Sequence, residues 1–202
     1  MKSKYFDSRK ITTFAILLAM IVVLQLFGSA FVIGTTRLSF VLVPIVVGAF
    51  LIGPLAGGIL GLSFGLVVTL MAVFGLDPFT LFMLQDNLIV TLLIIFVKGF
   101  LAGFVPGVVY NAIKKKNETV SVFVSSALAP IVNTGVFVLG ALIMSGTMTK
   151  IINASPETQG QSVIYFVIIA CAGVNFLIEL AINLILAPSL HRVVKIVDKK
   201  FK

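Results

Sequence analysis

Charge is scarce in this chain. Asp, Glu, Lys and Arg make up 11% of its 202 residues, against roughly 25% in a soluble domain. That shortfall excludes an ordinary water-facing fold and points to a bilayer. Tryptophan is absent, and cysteine occurs once, at Cys171. One thiol can form neither an internal disulfide nor a thiolate metal cluster, and among apolar neighbours it reads as inert packing. Histidine also occurs once, as His191 beside Arg192 in a basic tail. With no histidine inside an apolar segment, there is no intramembrane Ser-His pair and no His-based metal centre. The Walker A pattern is missing too, so ATP hydrolysis by that route is excluded. These absences favour a binder or carrier over an enzyme.

What the chain does have is apolar length. Hydrophobic residues make up 59% of it, and a helix needs about 20 of them in a row to cross a hydrocarbon core of roughly 30 Å. Six such stretches are read: 11–31, 38–52, 55–74, 88–110, 120–144 and 163–187. The second is the shortest, and Gly53-Pro54 ends it. Outer-membrane strands would alternate over only about 10 residues, so continuous apolarity predicts helices. The expected fold is an all-α membrane protein, a six-helix bundle forming one domain over residues 1–202.

Twelve of the fifteen Lys and Arg residues fall into three clusters: Lys2, Lys4, Arg9, Lys10; Lys114, Lys115, Lys116; and Arg192, Lys195, Lys199, Lys200, Lys202. An even number of spans separates each cluster from the next. With both termini in the cytoplasm all three lie inside, as positive-inside topology demands. The net charge of +8 is therefore a flank and lipid-headgroup feature and does not indicate nucleic-acid binding. The first apolar run exceeds the roughly 7–15 residues of a signal-peptide core and is kept as a span.

Two ridges of small residues stand out: Gly57-x-x-x-Gly61-x-x-x-Gly65 and Gly99-x-x-x-Gly103-x-x-x-Gly107. Glycines four apart let helices approach closely in lipid, either within the bundle or against a gliding partner. Ala15 and Ala19 form a shorter motif of the same kind.

Polar groups in a bilayer are costly unless paired or facing a cavity, so each needs a reason. They are Gln25; Gln85, Asp86 and Asn87; Lys98; Asn133 and Thr134; and Asn175, Glu179 and Asn183. At about 1.5 Å per residue, Asn133 and Asn175 lie roughly 17 and 18 Å from the outer surface. Asn87 sits above them at the mouth. Amides both donate and accept, which suits a neutral polar ligand, although they also serve as glue between helices. Lys98 and Glu179 are read as an intramembrane ion pair, with a structural pair or a Glu179 snorkelling to the inner face as the plainer alternatives. Arg37, alone in the first outer loop, is an interface anchor or a fork for a ligand carboxylate.

The run Arg37-Leu-Ser-Phe-Val-Leu-Val-Pro-Ile through Gly53-Pro54-Leu-Ala-Gly-Gly, with Ala15-x-x-x-Ala19, Lys98-Gly-Phe-Leu-Ala-Gly and Asn133-Thr-Gly, resembles the substrate-binding S components of energy-coupling factor (ECF) vitamin transporters. The resemblance spans essentially the whole chain and looks most like the pantothenate branch. It implies a multi-pass protein of the bacterial cytoplasmic membrane that captures a vitamin from outside and then topples to face the cytoplasm. The implied partners are a membrane coupling subunit, contacted through Ala15 and Ala19, and two cytoplasmic ATPase subunits. ATP and Mg would sit on those subunits, with no cofactor in this chain. For pantothenate, Arg37 or Lys98 would take the carboxylate, and Asn87, Asn133 and Asn175 the amide and hydroxyls. The alternatives are another vitamin or precursor (hydroxymethylpyrimidine, pyridoxine, riboflavin or folate), a stand-alone ion-coupled transporter, or a scaffold without a ligand.

Overall fold

The computed structural model describes residues 8–28, 32–33, 36–37 and 40–201, with residues 32–33, 36–37 and 198–201 described through their backbone alone. Helices dominate: α1 (Ser8–Gly28), α2 (Leu42–Leu51), α3 (Pro54–Val73), α4 (Pro78–Asp86), α5 (Leu88–Ile113), α6 (Glu118–Ile143), α7 (Ser145–Ala154), α8 (Val163–Tyr165) and α9 (Val174–Phe201). A π-helical segment, Phe166–Gly173, joins α8 to α9. Between α1 and α2, β1 (Val32–Ile33) and β2 (Thr36–Arg37) pair antiparallel, Val32 against Arg37.

Local chemistry sets the helix starts. Asp77, Asn87, Asn117 and Ser162 each accept a backbone N–H of the first turn that follows, capping α4, α5, α6 and α8, because those amides have no partner inside the helix. Pro54 and Pro78 open α3 and α4, where a missing N–H costs nothing. Gly53, at φ 137°, makes the sharp turn between α2 and α3, which side chains with a Cβ rarely tolerate.

Five helical stretches are long and apolar enough to cross a bilayer: Ser8–Gly28, Pro54–Val73, Leu88–Ile113, Glu118–Ile143 and Val163–Val197. The segment expected as a second full span, 38–52, instead forms the ten-residue α2, about 15 Å long. Its apolarity has a different cause. Leu42, Pro44, Ile45, Val46, Gly48, Ala49 and Phe50 are all buried, because α2 is enclosed by α1, α3, α5, α6 and α9. A short buried helix and a membrane span give the same apolar signature, and only length separates them.

The two glycine ridges face each other. A Cβ on Gly61 would collide with the carbonyl of Gly99, and one on Gly103 with the carbonyl of Gly57. The spacing therefore serves backbone contact between antiparallel α3 and α5, and neither ridge is left for a gliding partner. Outward-facing positions carry Val23, Leu93, Leu139, Ile143 and Ile185, each more than half exposed, as expected of a lipid-facing surface.

The basic residues gather at one end. α6 and α9 run antiparallel, with Asn133 beside Glu179 at mid-length and Val122 clustered with Leu190 and Val194. Pro54 lies against Gly107, while Gln25 near the end of α1 shares a cavity with Met71 near the end of α3. The start of α1, the Lys114–Lys116 turn and the Arg192–Lys195 stretch thus share the end of the bundle opposite α4 and α7.

Candidate functional site

A cleft opens toward the α4 end. It encloses about 790 Å³ free of protein atoms, part of it open to solvent. α2 contributes nothing to its lining. The residues at the start of α2, Val41 and Leu42, pack in one cluster with Phe64 and Val68, which line the cleft.

Each wall brings one kind of chemistry. α1 supplies Gln25, and α5 supplies Lys98. α6 contributes Asn133, Thr134 and Phe137; the π-helical segment and α9 contribute Cys171, Ala172, Asn175 and Glu179. Asp77, Phe79 and Thr80 line the cleft at its α4 end. Asp77 is occupied as a cap, accepting from the Thr80 amide at 3.2 Å and the Thr80 hydroxyl at 2.6 Å.

Glu179 is the hub of the polar wall. It is 1% exposed, and its two carboxylate oxygens accept from different amides: Asn175 Nδ2 at 3.1 Å and Asn133 Nδ2 at 3.4 Å. One turn further on, Asn183 Nδ2 donates to the Glu179 backbone carbonyl at 2.8 Å. With their nitrogens engaged, Asn133 and Asn175 leave their Oδ1 atoms buried and without a partner, as is Gln25 Oε1. An unmet buried acceptor is costly, and these three belong to residues that line the cleft.

Lys98 is the cation of this lining. Its Nζ lies 5.9 Å from the Phe64 ring centre and 5.5 Å from that of Phe137, an arrangement that holds an ammonium without neutralising it. Lys98 and Glu179 both line the cleft and make no direct ion pair with each other.

Of the residues singled out from sequence, Lys98, Asn133 and Asn175 meet in this cleft. Asn87 does not. Its Oδ1 accepts the Val90 amide at 3.3 Å and caps α5. Arg37 lies in β2, its side chain outside the described residues. Ala15 and Ala19 are exposed on the outer face of α1. Asp86 belongs to a tie between α4 and α7: Lys150 and Thr147 of α7 both donate to its carboxylate. These bonds, Lys150 first, hold its pKa below the usual value of 3.8.

Sequence reasoning did not place Glu179 at the centre of the site. The signal was present: Asn175, Glu179 and Asn183 stand at i, i+4 and i+8, one stripe on an otherwise apolar helix. Phe64, Phe137 and Asp77 carried no comparable signal, since a phenylalanine in an apolar helix and an aspartate before proline both have ordinary explanations.

Among known families, the chain matches the model of the ECF transporter, substrate-specific component, over residues 9–191. No curated protein and no solved structure matches it.

Proposed function

The chain belongs to the substrate-specific components of ECF transporters, and from that premise we propose that it is the high-affinity vitamin-binding subunit of an ATP-driven importer, with pantothenate as its substrate. The observation that carries this reading is the pairing, in one cleft, of a lysine free of a direct ion pair with three unpartnered amide oxygens. Pantothenate has a carboxylate at one end and an amide N–H and two hydroxyls toward the other. Lys98 would meet the carboxylate, with Arg37 as a second cation from β2. Asn133, Asn175 and Gln25 would accept from the hydroxyls and the amide. Apolar Phe64, Val68 and Phe137 suit the ligand's dimethyl centre.

In this reading the end carrying the basic clusters faces the cytoplasm, and the cleft opens outward. Gly28 and Pro54 lie at opposite ends of the bundle, so the chain between them, α2 included, would make a sixth passage. The coupling subunit would dock on the exposed Ala15 and Ala19 face, and two ATPase subunits, carrying ATP and Mg, would complete the importer at the basic end. Residues 1–202 would act as one unit of a bacterial cytoplasmic membrane.

A thermal-shift screen of the purified chain in detergent tests the substrate. Pantothenate at 100 times its dissociation constant should stabilise the protein by about 2.7 kcal/mol. A shift with hydroxymethylpyrimidine, pyridoxine, riboflavin or folate and none with pantothenate would replace the substrate. Uptake by the chain alone, driven by an ion gradient without ATPase subunits, would overturn the importer reading.

A further inference from the structure

The hydrogen bonds around Glu179 do more than satisfy a buried carboxylate. An amide side chain has a donating end and an accepting end, and turning it over costs little unless a neighbour distinguishes them. An ionised carboxylate makes that distinction, since its oxygens accept and cannot donate, and both oxygens of Glu179 accept here. Asn133 on α6 and Asn175 on α9 both turn Nδ2 toward Glu179. Both Oδ1 atoms are left buried and unpartnered, on residues that line the cleft. The backbone also holds the hub in place. Asn175 lies one helical turn before Glu179, and Asn183, one turn after, donates to the Glu179 carbonyl.

We propose that Glu179 is a positioning residue that fixes the polarity of this wall, making Asn133 and Asn175 acceptors toward the ligand and so selecting hydroxyl or N–H donors over ethers and carbonyls at that position. The inference rests on reading the cleft as the ligand site and adds to it the rule by which the cleft discriminates. The lysine side of the cleft sorts ligands by charge, and the Glu179 side sorts them by hydrogen-bond direction.

The Glu179→Gln variant keeps the shape and reverses one half of the instruction. A glutamine offers one accepting oxygen and one donating nitrogen, so one of the two asparagines must turn its nitrogen into the cleft. Two measurements follow. In ligand-free protein labelled with 15N-asparagine, the side-chain NH2 groups of Asn133 and Asn175 should exchange slowly with solvent in the native chain. In Glu179→Gln one of the two should exchange at least about tenfold faster, the effect of losing roughly 1.4 kcal/mol. Equal exchange in both proteins would overturn the proposal.

The second measurement is calorimetric selectivity between pantothenate and its di-O-methyl ether. Both carry the same carboxylate, so the charge removed at position 179 cancels in the ratio. The native preference for the hydroxyl form should shrink about tenfold in the variant. An unchanged ratio, with both proteins binding pantothenate, would sink the positioning role while leaving the substrate intact. Altered exchange in a native chain that ignores pantothenate would refute the substrate and keep the positioning role. Asn175→Ala gives a second route: Glu179→Gln in that background should move selectivity less than in the native chain, and an equal effect would again overturn the proposal.

Discussion

Lys98 and Asn87 show how much a single side chain's surroundings decide. Lys98 is held between two phenylalanine rings in the cleft. Asn87 does not line it, its oxygen being bound to the helix it starts. Sequence put both forward as ligand contacts, Asn87 at the mouth and Lys98 within its span, because it does not reveal whether an amide's oxygen is already taken. Substituting each should separate the two roles. Lys98→Met should lower pantothenate affinity about 10- to 100-fold, the loss expected of a charge-assisted hydrogen bond. Affinity for pantothenol, which has an alcohol in place of the carboxylate, should change little. Asn87→Ala should destabilise the fold by about 1 kcal/mol, the typical worth of a helix cap, with pantothenate affinity untouched. Calorimetry and thermal unfolding in detergent read both. An Asn87→Ala variant that loses ligand would return that residue to the site.

At the level of elements, the same motif type has two different fates. The glycine ridges of α3 and α5 are spent on each other, backbone to backbone. Ala15 and Ala19, spaced the same way on α1, face outward. Spacing revealed that small residues share a helix face, but which face is buried depends on the neighbours, and sequence leaves that open. Substitution should therefore act in opposite ways. Gly61→Leu must push α3 away from the Gly99 carbonyl and should cost about 3 kcal/mol, the upper range for overpacking a tight contact. Ala15→Leu and Ala19→Leu should leave stability and ligand binding as they are, yet abolish uptake when the chain is reconstituted with a coupling subunit and ATPases. Loss of binding in the alanine variants would make that face internal packing. The helix boundaries follow a similar logic. The starts of α3, α5 and α6 fall within two residues of the expected stretches, α4 was not foreseen, and α2 was overextended because burial inside a bundle and burial inside lipid select the same residues.

Across the whole molecule, segregated charge has a structural counterpart. Arg9, Lys10, Lys114–Lys116, Arg192 and Lys195 converge on one end, and the cleft, lined by the acidic Asp77, opens at the other. Five long helices and the half-length α2 reproduce that polarity without six equal spans, because an even number of passages is all the charge pattern requires. The asymmetry also limits how the site can work. α2 and its surrounding core fill the half of the bundle nearer the basic end with Val46, Ala49, Phe50, Tyr110 and Val122, all buried, so the cleft has its opening away from that end. A ligand taken up at the cleft would have to leave by the same mouth unless this core parts. Orientation in the membrane then decides which side is served, and it can be read directly. In a Cys171→Ala background, Gln159→Cys at the cleft end and Lys116→Cys at the basic end place one thiol on each exposed turn. On intact cells, a membrane-impermeant maleimide should label Gln159→Cys at once and Lys116→Cys only after permeabilisation, as expected when the basic end is cytoplasmic. The reverse pattern would invert the bundle and make the cleft face inward. Labelling of both from outside would mean that the two turns are not on opposite sides of the membrane.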